Sequence, residues 1–373
     1  MKIAIIGNGM PFTHDTLWKT GLGGSEQAQL CIAKELARLS ETQVINFSNM
    51  EPGNTKEDVD GVTWCPLSHL AEYQNDSFDV AIVCRDPGIW SYKPQSKLSI
   101  LWIQDFSTDY YPSTEYLANF DEIWAVSHWQ ASQWTNELIQ NRSFYECPGF
   151  WVTQNAIARV IKVSDLLRKP KQLFFASRPE RGLWALVRDG GIMDRLPDYT
   201  LLVAGYTDRR PEFQSFYEQL DAFIEQRENV HNLGSLPVPG LRNCIGESAA
   251  YIFPTPYRET SCIMARECIE QLTPVITTPT RYSGAVPETL GDATVIGSMF
   301  HTYDSDNFCA EFAHVTRSFL EHGRGGGKSA VEVRNSMISR TDLYWDGVAR
   351  KWLQRLEEKI SVDKNCSPHS SEE

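Results

Sequence analysis

The stretch Tyr257-Arg-Glu259-Thr-Ser-Cys-Ile-Met-Ala-Arg-Glu267-Cys-Ile-Glu-Gln-Leu-Thr-Pro-Val275 decides how the chain is interpreted. The short apolar runs at 250–253 and 274–277 predict two buried parallel strands. Residues 264–272 predict a helix between them, so Glu259 lies in the strand-to-helix loop and Glu267 in the first turns of the helix. Ligands bind where parallel strands end, and a helix N-terminus at that edge favours an anion. Both carboxylates are therefore expected to face one ligand site.

The composition is that of a globular protein with two domains. The chain has 373 residues, of which 42% are hydrophobic and 22% charged, and this length supports two separate cores. Its apolar runs are shorter than the roughly 18 to 20 residues of a membrane span. The apolar start, residues 1–7, is interpreted as a first strand rather than a signal peptide. We therefore expect a cytoplasmic protein.

Charge and cysteine usage exclude several classes of function. The net charge of −13 disfavours nonspecific binding to nucleic acid and to anionic lipid, both of which need concentrated Lys and Arg. The nine cysteines are scattered, without a Cys-x-x-Cys pair or a His at metal-ligand spacing. They are interpreted as reduced thiols, and no metal site is expected.

The first half of the chain predicts a doubly wound sheet, because strand patterns alternate with helical ones. Gly7 and Gly9 do not complete a dinucleotide fingerprint, since Phe12 stands where the third glycine belongs. A better anion loop is Gly23-Gly24, directly before a predicted helix, because glycine lets backbone N–H groups approach a phosphate. The alternative is a plain loop in which the next residue, a serine, caps the helix.

The second half opens with a strand at 172–176 and the motif Ser-Arg178-Pro-Glu-Arg181-Gly-Leu. Two arginines that directly follow a strand and precede a helix are placed to bind a diphosphate bidentately. The alternative is a pair of solvated loop arginines.

Taken in order, these motifs resemble the retaining GT-B glycosyltransferases of the family 4 kind. The resemblance rests on Gly-Gly-Ser-Glu at 23–26, the arginine motif at 177–183, the two glutamates before Pro-Val-Ile at 274–276, and Val-Pro-Glu at 286–288. It covers nearly the whole chain. It implies an α/β protein with the GT-B fold, in which two Rossmann-like doubly wound domains face a central cleft and a C-terminal helix crosses back to the first domain.

The domain boundaries follow from this resemblance and from composition. Residues 1–165 are expected to form the acceptor-side domain, completed by a crossing helix at 340–360. Residues 170–335 are expected to form the donor domain, and 361–373 a disordered tail. The basic, proline-punctuated stretch at 148–170 is interpreted as the connection, with at most peripheral contact to a membrane.

The resemblance also implies a reaction. A hexose would pass from a nucleoside-diphosphate-sugar to a hydroxyl of a glycan or lipid-linked acceptor, with retention at the anomeric carbon and without a metal or other cofactor. The implied catalytic residues are Arg178, Arg181 and Glu259, of which the arginines stabilise the leaving diphosphate and Glu259 holds sugar hydroxyls. Asp105, directly after a predicted strand, is a further catalytic candidate that could contact acceptor hydroxyls; the alternative is a structural carboxylate that caps the next helix. The implied donor residues are Gly23, Gly24, Gly234, Ser235, Leu236, Thr260, Ser261, Cys262, Ile263 and Glu267, and the acceptor-side residues are Gln104, Asp109 and His128.

Three residues depart from the family pattern. Gln104 replaces a histidine that lies beside the sugar, and glutamine cannot act as a general base. Cys262 replaces a loop glycine and is expected to narrow the sugar pocket, and Cys268 replaces an alanine.

Two other functions fit the same motifs. One is a nucleotide-sugar epimerase of related fold, which would isomerise its donor without any acceptor. The other is a non-catalytic nucleotide-sugar binding module.

Overall fold

The computed structural model describes residues 1–39, 41–50, 54–92, 94–106, 117–140, 149–159, 167–205 and 210–365. The chain divides into two compact units. Unit 1 comprises Met1–Thr16, Leu22–Arg159 and Tyr344–Glu373, and unit 2 comprises Leu17–Gly21 and Val160–Leu343. The predicted Asp109 lies outside the described residues.

Unit 1 is built on an eight-stranded sheet in the order β3-β4-β2-β1-β5-β6-β7-β8. The strands are β1 Lys2–Gly7, β2 Gln43–Ser48, β3 Glu57–Val59, β4 Val62–Pro66, β5 Ser77–Cys84, β6 Gln95–Ile103, β7 Glu122–Ala125 and β8 Phe150–Val152. Only the β3–β4 pair is antiparallel within the described sheet. The helices are α1 Thr16–Lys19, which straddles the boundary between the units, α2 Gly24–Leu39 and α3 His128–Gln140.

Unit 2 contains a six-stranded parallel sheet in the order β11-β10-β9-β12-β13-β14. The strands are β9 Lys169–Ala176, β10 Thr200–Ala204, β11 Val230–Gly234, β12 Ser248–Phe253, β13 Val275–Thr277 and β14 Thr294–Ile296; a small hairpin adds β15 Arg324–Gly325 and β16 Lys328–Ser329. The helices are α4 Leu183–Val187, α5 Gln214–Glu225, α6 Val238–Glu247, α7 Ile263–Glu270, α8 Thr280–Ser283, α9 Val286–Leu290, α10 Asp306–His322 and α11 Ala330–Ile338.

The central strands form each core because both of their faces are covered. All six residues of β12 are buried, as are the last five of β1 and of β9. Such unbroken apolar runs are typical of parallel strands between two helical layers. The predicted α/β class with two parallel sheets is therefore confirmed.

The last helix, α12 (Trp345–Asn365), belongs to unit 1. The ring of Trp352 meets the rings of Trp102 and Trp124 edge-on at centroid distances of 4.7 Å each, and its Nε1 donates to Thr153 Oγ1 at 2.6 Å. Arg355 adds ion pairs to Glu122 on β7. These buried aromatic contacts fix the helix to the first sheet.

The bounds of α12 differ from the predicted 340–360. Before the helix, Tyr344 forms a parallel β-bridge with Ile157, which keeps the chain extended up to Trp345. At the other end the helix continues to Asn365, into the predicted tail, where Ser361 Oγ donates to the Glu357 carbonyl at 2.7 Å. Residues 366–373 lie outside the described part. Among the described helices, none has the length and apolarity to cross a lipid bilayer.

We predict that Trp352→Ala destabilises unit 1, because the side chain is fully buried and forms the contacts above. Loss of a buried tryptophan side chain lowers the free energy of unfolding by about 3–5 kcal/mol. Urea denaturation followed by circular dichroism measures this change. The matched control is Lys351→Ala at the exposed neighbouring position, which should stay within about 0.5 kcal/mol of the wild type. Equal stability of the two variants would contradict the anchoring role of Trp352.

Candidate active site

The backbone of Glu259 is fixed between β12 and α7 by a parallel bridge to Gly284. Its N–H donates to the Ser283 carbonyl at 3.1 Å, and its carbonyl accepts from the N–H of Ala285 at 2.8 Å. Gly284 has φ 63°, and a Cβ there would lie 2.5 Å from the Glu259 carbonyl oxygen. Only glycine permits this close approach, so the loop presents the Glu259 side chain in a defined position.

Arg181 contacts Glu259 directly. Its Nη1 lies 3.0 Å from Oε1 and 3.3 Å from Oε2, and its guanidinium stacks over the ring of Tyr257 at 4.1 Å from the centroid. The structure therefore brings together two residues that the sequence assigned to one site from positions 78 residues apart. The ion pair is mostly shielded, since the two side chains are 25% and 12% exposed.

Arg178 lies at the end of β9, in the same loop as Arg181. Its carbonyl accepts from the Arg181 N–H at 3.0 Å and so forms the short turn at Pro179–Arg181. The turn ends at Gly182, which has φ 120° and whose Cβ would lie 2.5 Å from the carbonyl oxygen of Pro254. The glycine of the arginine motif thus allows this loop to approach the end of β12.

Glu267 lies on α7 and is buried. Its Oε2 accepts from Arg242 Nε at 2.5 Å, and the two side chains are 2% and 7% exposed. The sequence analysis did not identify Arg242 as the partner of this candidate residue. The signal was an arginine in the helix that directly follows 234–237. A buried charge needs a partner, so α6 and α7 are held together by this pair.

Thr260, Ser261, Cys262 and Ile263 lead into α7, whose N-cap is Cys262. Burial and, to a smaller extent, the charge of Glu259 raise the pKa of the Cys262 thiol to about 12. Burial likewise raises the pKa of Cys268. Both thiols are therefore protonated at neutral pH, and they lack the thiolate character of a nucleophile.

Arg266 anchors the same helix from its other side. Its Nη1 donates to the carbonyl of Asp342 at 2.9 Å, and it is 1% exposed. Burial lowers the pKa of Arg266 to about 10, so the group remains charged at neutral pH. It holds α7 to the segment that precedes α12.

The Gly234-Ser235-Leu236 loop follows β11 and contacts a segment from the start of the chain. Ser235 Oγ donates to the Thr20 carbonyl at 2.7 Å. A Cβ on Gly21, which has φ 83°, would lie 2.5 Å from the Leu236 carbonyl oxygen. These contacts explain why Leu17–Gly21 belongs to unit 2, which the sequence analysis did not predict.

In unit 1, the Gly23-Gly24 turn leads into α2, which begins at Gly24. A Cβ on Gly23 or on Gly9 would collide with the carboxylate of Glu26. Glu26 Oε1 also accepts from the Met10 N–H at 3.1 Å, and the side chain is 4% exposed. Two of the glycines therefore make room for a buried carboxylate, a reason that the sequence analysis did not identify.

Arg85 joins Glu26 to Asp105. It follows β5, and its Nη1 lies 2.7 Å from Glu26 Oε1 while its Nε lies 2.5 Å from Asp105 Oδ2. The sequence analysis missed this residue too. The signal was a charged side chain directly after a buried strand.

The remaining acceptor-side candidates differ in exposure. Gln104 is 5% exposed and pairs with Asn155, whose Nδ2 donates to Gln104 Oε1 at 2.9 Å. The carbonyl of Asp105 accepts from Gln130 Nε2 at 2.9 Å, which fixes the turn after β6. His128 is the first residue of α3 and is exposed. Over the described ranges there is no cluster of three or more His, Cys, Asp or Glu residues arranged to hold a metal ion.

No protein-family model matches the chain, and the curated proteins contain no match to it. Solved structures do match. The sucrose-phosphate synthase from Thermosynechococcus elongatus is similar over 97% of this chain and 99% of its own, with a TM-score of 0.70 and 13% identity.

Two further structures are similar over nearly their full length. WaaG, a glycosyltransferase involved in lipopolysaccharide biosynthesis, matches over 95% of this chain and 99% of its own, with a TM-score of 0.63 and 12% identity. A trehalose-phosphate synthase from E. coli matches over 96% and 99%, with a TM-score of 0.64 and 11% identity. The chain therefore has the GT-B fold, which these glycosyltransferases share.

Proposed function

We propose that the chain is a glycosyltransferase that moves a hexose from a nucleoside-diphosphate-sugar to an acceptor hydroxyl, with retention and without a metal. The observation that carries the proposal is the contact of Arg181 with Glu259. It supports the proposal because the cation that we propose to bind the diphosphate lies beside the carboxylate that we propose to bind sugar hydroxyls. Both residues follow the carboxyl ends of strands, β9 and β12, where α/β sheets bind ligands.

The two arginines of the loop at 178–181 suit a leaving diphosphate. They supply two positive charges, beside the carboxylate of Glu180 in the same loop and that of Glu259. The diphosphate gains negative charge as the glycosidic bond breaks, so preorganised cations lower the barrier. Arg178 and Arg181 are the groups proposed to stabilise that charge.

Glu259 and Glu267 have separate proposed roles. Glu259 keeps 12% of its side chain exposed beside Arg181, and we propose that a sugar hydroxyl donates to it. Glu267 is buried and held by Arg242, and it is proposed to accept a hydroxyl of the ribose, with the base against Gly234, Ser235 and Leu236. A carboxylate that accepts from a hydroxyl forms a charge-assisted hydrogen bond, which favours a correctly oriented nucleoside.

Retention is proposed to proceed on one face of the sugar. The bond from the anomeric carbon to the diphosphate oxygen breaks, and the acceptor oxygen bonds to the same face. The acceptor proton passes to an oxygen of the departing diphosphate. Cys262 and Cys268 are protonated and Glu259 is ion-paired, which supports a route without a covalent enzyme intermediate. Asp105 and Gln104 are proposed to contact a glycan or lipid-linked acceptor.

One structural neighbour supports the donor class. The E. coli trehalose-phosphate synthase was solved with UDP-2-fluoro glucose. A uridine or other nucleoside diphosphate hexose is accordingly the first donor to test.

A thermal-shift screen against nucleoside diphosphates and their sugars, followed by product analysis, tests the proposal. A ligand at 100 times its dissociation constant stabilises the folded state by about 2.7 kcal/mol. Binding followed by donor hydrolysis or transfer supports a glycosyltransferase. Release of an isomerised donor would indicate an epimerase, and binding without turnover a binding module.

We predict that Glu267→Gln weakens nucleoside diphosphate binding. The variant keeps the shape of the side chain but loses the charge that Arg242 and the ribose share. A hydrogen bond to a charged group contributes about 1.5–3 kcal/mol, which corresponds to about a 10- to 100-fold rise in Kd. Isothermal titration calorimetry measures it. Glu270→Gln at the end of the same helix is the matched control and should bind as the wild type does.

We predict that Arg178→Ala lowers kcat for donor turnover by about 10²-fold or more, as loss of one oxyanion-stabilising group does. Arg317→Ala, which removes a partly exposed arginine on α10, should leave kcat unchanged. Steady-state kinetics with the donor found in the screen measures kcat for both variants and for the wild type. Wild-type turnover by Arg178→Ala would refute the proposed role of Arg178.

A further inference from the structure

Arg85 has a backbone conformation that its residue type disfavours. Its φ is 74°, one of four positive values among the described non-glycine residues. The left-handed region suits glycine, because a Cβ there approaches the neighbouring carbonyl oxygen. Side chains persist in such positions when the surrounding structure holds them, and they concentrate at functional sites. The arginine at position 85 therefore points to a need for its side chain.

The Arg85 side chain bridges two loops at the carboxyl ends of the strands of the first sheet. Arg85 follows β5 and Asp105 follows β6, and these strands are neighbours in the sheet. The third member, Glu26, lies in the first turn of α2, directly after the Gly23-Gly24 turn. One planar guanidinium contacts both carboxylates, at 2.7 Å and 2.5 Å, so its rigid fork defines the distance between the two loops.

The cluster of Arg85, Glu26 and Asp105 would be electrostatically unfavourable without its arginine. Glu26 is nearly completely buried and Asp105 is 24% exposed. Two carboxylates this close to one cation would otherwise repel each other, and a buried carboxylate without a partner is costly. They would also repel a diphosphate that approached the N-terminus of α2. With Arg85 in place, the three groups carry one net negative charge instead of two.

We propose that Arg85 is a positioning residue of the transfer reaction. It holds Asp105 and the Gly23-Gly24 turn in one geometry and offsets one carboxylate charge beside the turn. This inference rests on the proposed glycosyltransferase function. It predicts that turnover depends on the guanidinium at this place even though the backbone prefers glycine there.

Arg85→Gly tests the inference, because it removes the side chain and relieves the backbone. The melting temperature should fall, because relief of the backbone strain offsets only part of the cost of leaving the buried Glu26 carboxylate without its guanidinium partner. The kcat for donor turnover should fall by about 10²-fold, the cost of a small misplacement of reacting groups. The matched control is Asp60→Gly, which relieves another left-handed residue of unit 1 and removes one ion pair, that with Lys34. It should retain wild-type kcat.

Added guanidinium ion provides a readout that a purely structural role would not give. Arg85→Gly leaves a space between Glu26 and Asp105 that fits the ion. Low millimolar guanidinium chloride should therefore raise both kcat and the melting temperature of Arg85→Gly, while equal concentrations of sodium chloride or urea should not. The wild type should show neither gain.

The outcomes separate this inference from the proposed function. Wild-type kcat in Arg85→Gly, or a loss of kcat that guanidinium does not restore, would overturn it. A wild-type chain inert toward every donor would contradict the proposed function. In that case a rise in the melting temperature of Arg85→Gly on addition of guanidinium still supports the bridge of Arg85 between Glu26 and Asp105. No rise would overturn the inference. If Arg85→Gly fails to fold, Arg85→Lys replaces it: an unchanged kcat would overturn the inference, because an ammonium lacks the fork that holds both carboxylates.

Discussion

A buried charge needs a partner of opposite charge, and this constraint organises the loops at the carboxyl ends of both sheets. In unit 2, Arg181 pairs with Glu259 and Arg242 with Glu267. In unit 1, Arg85 pairs with Glu26 and also with Asp105. The pairs of Arg181 and Arg85 fix loop geometries that short-range preferences leave open, whereas the pair of Arg242 joins α6 to α7. The parallel strands form the rigid part of each unit, and the ion pairs determine the positions of the loops that follow the strands.

Glycines complete these loops by permitting close approach of two backbones. Gly182 brings the loop at 178–181 to the end of β12, and Gly284, which directly follows α8, brings that turn to Glu259. In both cases a Cβ would lie 2.5 Å from a carbonyl oxygen, which no ordinary side chain tolerates. Gly23 serves another purpose, since it makes room for the Glu26 carboxylate. A glycine-rich turn in a sequence therefore indicates either a side chain packed against the turn or a backbone that a phosphate can approach.

The sequence predicted the parts of the site that short spacing encodes. Glu259 and the paired arginines of the 177–183 motif follow apolar strand patterns, so their positions after strands followed from periodicity. The helix that carries Glu267 was predicted from the pattern of the next residues. Arg85, Arg242 and the 17–21 segment were missed for a shared reason. Their partners lie 59, 25 and 215 residues away, and only the order of strands and helices in the folded units brings them together. The bounds of α12 were missed because the bridge of Tyr344 to Ile157 is likewise a long-range contact.

The placement of α12 has a consequence for biosynthesis. Unit 1 takes its last helix from the end of the chain, and Trp352 covers Trp102 and Trp124. A ribosome delivers every residue of unit 2 before it delivers this helix. The second unit is thus able to fold while the first still exposes two tryptophans, so the nascent first unit needs protection from aggregation until α12 has been synthesised.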